Sequence, residues 1–203
     1  MVGRTEYQNV SGTRCSTDFV ELPSILMEHF LVSPAVFSLF PTDHLRISHS
    51  DLLHHIRQLN PFPSLDTHSQ IVMATLDQTY HSTLPSSPAF SSTLELYRLQ
   101  DSLGVIPSVP GTAWQTQFSH LYGYGATYYT YLFDRAIARK VWKDIFDKDP
   151  LDRSMGERYK NEVLKFGGGK EPWKMLGSLL NLPEIEDGDH RAMELVGHWG
   201  VDG

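Results

Sequence analysis

The sequence predicts a mainly α-helical protein, and three observations carry that expectation. Apolar residues return every three or four positions in one segment after another, the spacing that gathers side chains on one face of a helix. No stretch alternates apolar and polar residues for long enough to make a half-buried strand. Pro, Gly, Ser and Asn collect between the periodic segments, where helices have to stop.

In chain order, residues 3–16 are rich in Gly, Thr, Ser and Asn and read as a looping lead-in. A helix is expected over 18–30 (DFVELPSILMEHF), with Phe19, Leu22, Leu26 and Phe30 as its apolar stripe. Pro23 is the awkward residue in it, because proline donates no backbone hydrogen bond and fits only near a helix start or at a kink. A second helix is expected over 51–59, with Thr42 or Ser50 as its cap and Asn60-Pro61-Phe62-Pro63 as its stop. A third over 70–81 offers Ile71, Leu76 and Tyr80 for packing. The Ser/Pro-rich residues 82–92 form a loop, a helix follows over 93–103, and Pro and Gly return at 104–111. One long helix is expected over 128–146, then two more over 152–165 and 173–180, with Gly167-Gly168-Gly169 as a mobile turn between these last two.

The chain has 203 residues, 40% hydrophobic and 20% charged, which suits one full-sized globular domain or a large piece of one. A formal charge of −7, with 17 Lys and Arg against 24 Asp and Glu, speaks against a nucleic-acid surface and for a cationic peptide as partner. Cys15 is the single cysteine, so neither an intrachain disulfide nor a cysteine zinc cluster is available. No apolar run approaches a membrane span, and no secretory or mitochondrial targeting segment is read at the amino terminus.

Two segments offer chemistry. Asp18, Glu21 and Glu28 would make an acidic stripe on the first helix, either a solvated face capped by Asp18 or one metal-binding carboxylate with its supporting groups. Tyr124, Tyr128 and Tyr131, at i, i+4 and i+7, would share a face if a helix ran through all three. They follow a Gly123-x-Gly125 hinge, with His120 just before it. They make either a packed aromatic stripe or a row of phenol donors for a polarised carbonyl. The other histidines show no metal-ligand spacing, Gly167-Gly168-Gly169-Lys170 lacks the spacing of a phosphate loop, and no G-x-S-x-G elbow occurs.

Gly12-Thr13 through Asp18-Phe19-Val20-Glu21-Leu22-Pro23-Ser24 resembles the G-T-x-x-x-x-D-F-V-E-x-P-S signature of the thimet oligopeptidase family of zinc metallopeptidases. His120-Leu121, Gly123-Tyr124 and Tyr128-Tyr129-Thr130-Tyr131-Leu132 are similar to that family's carboxy-terminal H-L, G-Y and Y-Y-x-Y-L motif. The wording of residues 4–15 (RTEYQNVSGTRC), and of G-E-R-Y and G-G-G-K-E-P-W within 156–173, is similar to the branch of mitochondrial intermediate peptidases. The resemblance covers nearly the whole chain. It implies that Glu21 is a zinc ligand supported by Asp18 and Glu28. It also implies a substrate loop at Gly123, Tyr124 and Gly125, and transition-state donors at His120, Tyr128 and Tyr131.

The family's H-E-x-x-H helix, which supplies two zinc ligands and the general base, has no counterpart here. Only 20 residues precede Glu21 and none is histidine. The expectation is therefore a single carboxy-terminal piece of a peptidase domain over 1–203, with its zinc-ligand helix at 18–30 and its tyrosine segment at 118–146, inactive alone. The resemblance implies short peptides or the amino-terminal octapeptides of imported precursors as substrates, and the mitochondrial matrix as location. The alternative is a non-catalytic helical module that binds peptides through its tyrosines.

Overall fold

The computed structural model describes residues 2–40, 48–58 and 61–201, and every regular element among them is helical. The chain divides into two compact units, one formed by Met1–Pro61 with Phe133–Val201, the other by Phe62–Leu132. None of the described helices is long and apolar enough to cross a membrane.

The first unit is built around α1 (Leu22–Leu31). This helix starts four residues later than the expected 18–30, and Pro23 is the reason. In a helix beginning at residue 18 its ring would strike the carbonyl of residue 19, whereas in the first turn its missing N–H costs nothing. Asp18 and Glu21 thus lie in the turns before α1 and Glu28 on the helix itself, which breaks up the acidic stripe. The apolar stripe does form: Leu22 and Leu26 are fully buried and Phe19 nearly so. They pack in one core with Ile137 and Val141 of α7 (Thr130–Val141), Met175 and Leu179 of α9 (Pro172–Leu180), and Val196 of α10 (His190–Trp199). Phe30 closes the stripe edge-on to Trp142 and Phe146, at 4.9 and 5.0 Å between ring centres.

The segment expected as one helix over 128–146 is instead α7 followed by a π-helical turn, Trp142–Phe146. The segment 152–165 likewise divides into α8 (Arg153–Tyr159) and a π-helical turn, Lys160–Leu164. Asp152 caps α8 by accepting the Ser154 N–H at 2.7 Å. Ser48, rather than Thr42 or Ser50, caps α3 (His49–Arg57), accepting the Asp51 N–H at 3.1 Å. Thr42, Leu59 and Asn60 lie outside the described residues. The helix α10 has no counterpart among the expected elements, although Asp189 caps it and Ala192 and Val196 bury an i, i+4 pair.

Gly167-Gly168-Gly169 is a packed crossing and not a loose turn. The Gly168 N–H donates to the Val10 carbonyl at 2.8 Å. A Cβ at Gly167 would lie 2.3 Å from that same oxygen, and one at Gly168 would lie 2.2 Å from the Arg14 carbonyl. Only glycine lets the two backbones approach so closely.

The second unit pairs α4 (Pro63–Tyr80) with α5 (Ser92–Leu103). Pro63 opens α4 seven residues ahead of the expected 70–81, again as a first-turn proline. Leu76 meets Leu96 and Leu99 in a small core flanked by Tyr80, Tyr97, Trp114 and Phe118, while Ile71 is left exposed. Next come α6 (His120–Gly123), an irregular stretch over 124–129, and the first residues of α7.

Leu26→Ala is expected to destabilise the chain by about 3 kcal/mol, because a fully buried leucine leaves a cavity that its neighbours fill only in part. Urea denaturation measures this. His29 stacks on Trp142 at 5.5 Å, and burial holds its imidazole below the ordinary histidine range, with Glu28 pulling it up and Arg139 pushing it further down. A depressed histidine contributes stability above its unfolded value of about 6.5 that is lost as pH falls through the folded value. His29→Phe, which keeps the stack, is expected to flatten that acid-side loss in urea melts recorded between pH 7 and 5.

Candidate active site

In the first unit two of the candidate residues, Asp18 and Glu21, lie near one another at a corner before α1. Glu21 sits at the N-cap of α1, where its carboxylate accepts the Ser24 hydroxyl at 2.7 Å. Asp18 is half-buried and accepts the Ser16 hydroxyl, and Glu28 is exposed on α1. A further acid, Asp134 of α7, joins Asp18 and Glu21 at this corner and was not among the expected site residues. It is fully buried and neither oxygen has a well-formed hydrogen bond. Burial pushes its carboxyl up to about 8. The backbone N–H groups of Glu21 and Leu22 favour the charge without meeting it squarely, and Asp18 and Glu21 disfavour it further. The signal for Asp134 was a lone acid beside the apolar Phe133, Ala136 and Ile137, on the side of α7 that faces the core. Burial raises the thiol of nearby Cys15, a backbone hydrogen bond opposes this, and Asp134 and Asp18 add smaller upward pushes.

The second unit gathers the aromatic residues. The His120 ring stacks on Tyr124 at 5.1 Å and on Phe118 at 6.0 Å, and meets Tyr128 and Tyr131 edge-on at 5.0 and 5.8 Å. Tyr128 and Tyr131 touch each other at 5.2 Å. The expected residues do come together, but by a different route. No helix runs through Tyr124, Tyr128 and Tyr131, since α6 ends at Gly123 and α7 begins at Thr130. The chain between them folds back on itself, with the Tyr124 carbonyl accepting the Thr127 N–H and hydroxyl at 3.2 and 2.6 Å. The His120 Nε2 is buried in this aromatic box with no hydrogen-bond partner. An imidazole nitrogen left so carries a desolvation cost that a bound ligand would relieve.

The loop is held from α4. Asp77, fully buried, accepts the N–H of Ala126 and of Tyr128, both at 2.9 Å. Gln78 donates to the Ala126 carbonyl at 2.8 Å. His81 Nδ1 faces the Asp77 carboxylate at 3.0 Å and its carbonyl at 2.9 Å, both acceptors, so the ring proton sits on Nδ1. The other ring nitrogen packs against Gly125, where a Cβ would come within 2.2 Å of it. Gly125 is thus a close-approach glycine, whereas a Cβ at Gly123 would meet open space. Ala126 takes a left-handed conformation, φ 62°, which is uncommon for a residue with a Cβ. Sequence periodicity could not reveal Asp77, Gln78 and His81 as loop ligands, because their partners lie some 50 residues along the chain.

Among the described residues no three His, Cys, Asp or Glu side chains are placed to hold a metal ion. Glu21 has the right donor chemistry, but one carboxylate falls short of the roughly three protein ligands of a catalytic zinc. The described residues therefore do not fit the ion by themselves.

Gly125→Ala is expected to displace His81 or the loop, costing about 1–3 kcal/mol as an overpacked contact. Ala126→Gly, which relieves the left-handed backbone, is expected to be neutral or mildly stabilising. Near-ultraviolet circular dichroism should lose the tyrosine signal in the first variant and keep it in the second.

The sequence profile of peptidase family M3 matches residues 1–195. The chain is 59% identical over 202 residues to a mitochondrial intermediate peptidase of Schizophyllum commune, covering 100% of this chain and 26% of the relative. It is 58% identical over 202 residues to one of Coprinopsis cinerea, with the same coverage, and 54% identical over 204 residues to one of Malassezia globosa, covering 99% of this chain and 25% of the relative. The chain spans about a quarter of the length of the curated relatives it matches. With a match that runs over nearly its whole length, the chain belongs to peptidase family M3.

Proposed function

We propose that this chain is the carboxy-terminal portion of a zinc metalloendopeptidase that removes amino-terminal octapeptides from precursor proteins in the mitochondrial matrix. The observation that carries the reading is the His120 imidazole, held without a protein partner for Nε2 inside a box of Tyr124, Tyr128 and Tyr131. Attack of water on a peptide carbonyl places negative charge on its oxygen, and donors fixed in advance stabilise that charge without having to reorganise. The phenols of Tyr128 and Tyr131 supply O–H donors, and His120 supplies a further one when Nε2 is protonated. Tyr124, 62% exposed, with Gly123 and Gly125 beside it, offers a surface for the peptide backbone. A net charge of −7 favours cationic presequence-like peptides over nucleic acid.

The metal belongs to the same proposal. Glu21 contributes one zinc ligand, with Asp18 and Glu28 as supporting carboxylates. The remaining ligands and the general base come from the part of the relatives' length that this chain does not span. The identity of the ion as zinc rests on the family resemblance.

The purified 203-residue chain is expected to show no chelator-sensitive cleavage of a fluorogenic peptide. Joined in frame behind the upstream portion of the Schizophyllum commune relative, it is expected to support such cleavage. Glu21→Gln in that chimera should lower zinc content and kcat/KM together. Tyr128→Phe or Tyr131→Phe should lower kcat by about a hundredfold at full zinc occupancy, the loss typical of one oxyanion donor. Full zinc content in the Glu21 variant, or unchanged kcat in both tyrosine variants, would sink the proposal. Tight zinc-free binding of a precursor peptide by the chain alone would point to a non-catalytic binding module.

A further inference from the structure

We infer that Asp77 is a positioning residue for the tyrosine donors, and that α4 carries it as the central member of a three-residue clamp on the substrate loop. The inference rests on the reading of Tyr128 and Tyr131 as donors to the reacting peptide. Its geometry is confined to the second unit.

A fully buried carboxylate is a costly group to place on a helix whose neighbouring Leu76 fills an apolar core. If the helix needed only to pack, an apolar residue would serve better. Asp77 instead commits one oxygen to the Ala126 N–H and the other to the Tyr128 N–H, both at 2.9 Å, and so brackets the turn that delivers Tyr128. The same face of α4 supplies Gln78, which takes the Ala126 carbonyl, and His81, which takes up the space where Gly125 has no side chain. Both backbone polar groups of Ala126 are thereby engaged, and a left-handed residue with a Cβ persists because its surroundings over-determine it. Once the Tyr128 amide is fixed, so is the point from which its phenol reaches the His120 ring. Helix α7 starts two residues later and carries Tyr131 into the same box. The contacts that tie Asp77 to this loop are to the backbone N–H groups of Ala126 and Tyr128, so it acts on the box through the backbone.

Two measurements test this. On the 203-residue chain, amide hydrogen exchange in Asp77→Asn is expected to speed up at Ala126 and Tyr128 by at least about tenfold, while the amides of α5 keep their protection. In the peptidase chimera, Asp77→Asn is expected to lower kcat by about ten- to a hundredfold with KM and zinc content little changed, as for a misplaced reacting group. A purely structural role would add to the effect of Tyr128→Phe. A positioning role predicts that the Asp77→Asn, Tyr128→Phe double variant is no slower than Tyr128→Phe alone, because the two act through one group. Should Asp77→Asn lose its cooperative melt, Gln78→Ala removes only the exposed donor to Ala126 and is expected to speed exchange at the loop in the same direction. Unchanged exchange at Ala126 and Tyr128 in every variant that folds overturns the clamp, and additive effects on kcat overturn the positioning role. If Tyr128→Phe leaves kcat intact, the donor reading of the tyrosines fails, and with it the positioning role. The exchange data then still decide whether the clamp exists.

Discussion

A carboxylate taken out of water has to be met by donors, and Asp77 is met by two backbone amides 49 and 51 residues further along the chain. The arrangement of the aromatic box follows from that one requirement. The loop over 124–129 has no regular helix to hold it, and its left-handed Ala126 would relax if released. Pinned at Ala126 and Tyr128, it presents its rings to His120 from fixed points. The closeness of Gly125 to His81 is a second, steric lock on the same loop. If the box serves as proposed, such over-determination keeps its donors in place, so they need not be reordered during reaction.

Asp134 shows the opposite outcome for the same residue type. It too is fully buried, yet the nearby backbone N–H groups of Glu21 and Leu22 do not form good hydrogen bonds with it. Burial outweighs those amides, and the neighbouring charges of Asp18 and Glu21 act in the same direction as burial. Asp134 is thus held protonated at neutral pH beside Glu21 and Asp18, which accept the hydroxyls of Ser24 and Ser16. Glu21 offers a single carboxylate, and among the described residues the donor set stops short of a metal site.

The helical character of the chain was legible throughout, and errors at element ends trace to identifiable residues. Pro23 shortened the first helix and Pro63 lengthened the third, both by taking first-turn positions that periodicity does not register. The acidic stripe of Asp18, Glu21 and Glu28 dissolved once the helix began at Leu22. Long helices over 128–146 and 152–165 each gave way to an α-helix with a π-helical turn, a change of hydrogen-bond register too slight to alter the apolar spacing. The helix α10 could have been read from Asp189 and its i, i+4 pair. The glycine run at 167–169 had the composition of a loose connection, and its partners, Val10 and Arg14, lie too far away in sequence for composition to reveal the crossing.

The sequence by itself determined the helical class, the family, and the identities of Glu21, His120, Tyr124, Tyr128 and Tyr131 as candidates. Each of these is written in local spacing or in a contiguous motif. Tertiary structure alone decided how those residues meet. His120, Tyr124, Tyr128 and Tyr131 come together through a folded-back loop because Asp77, Gln78 and His81 hold its backbone, and Glu21 shares its corner with an acid from α7. Contacts of this kind join residues with no periodic relation to one another. Their energy comes from burying a polar group beside a partner distant in the chain, which no local pattern encodes.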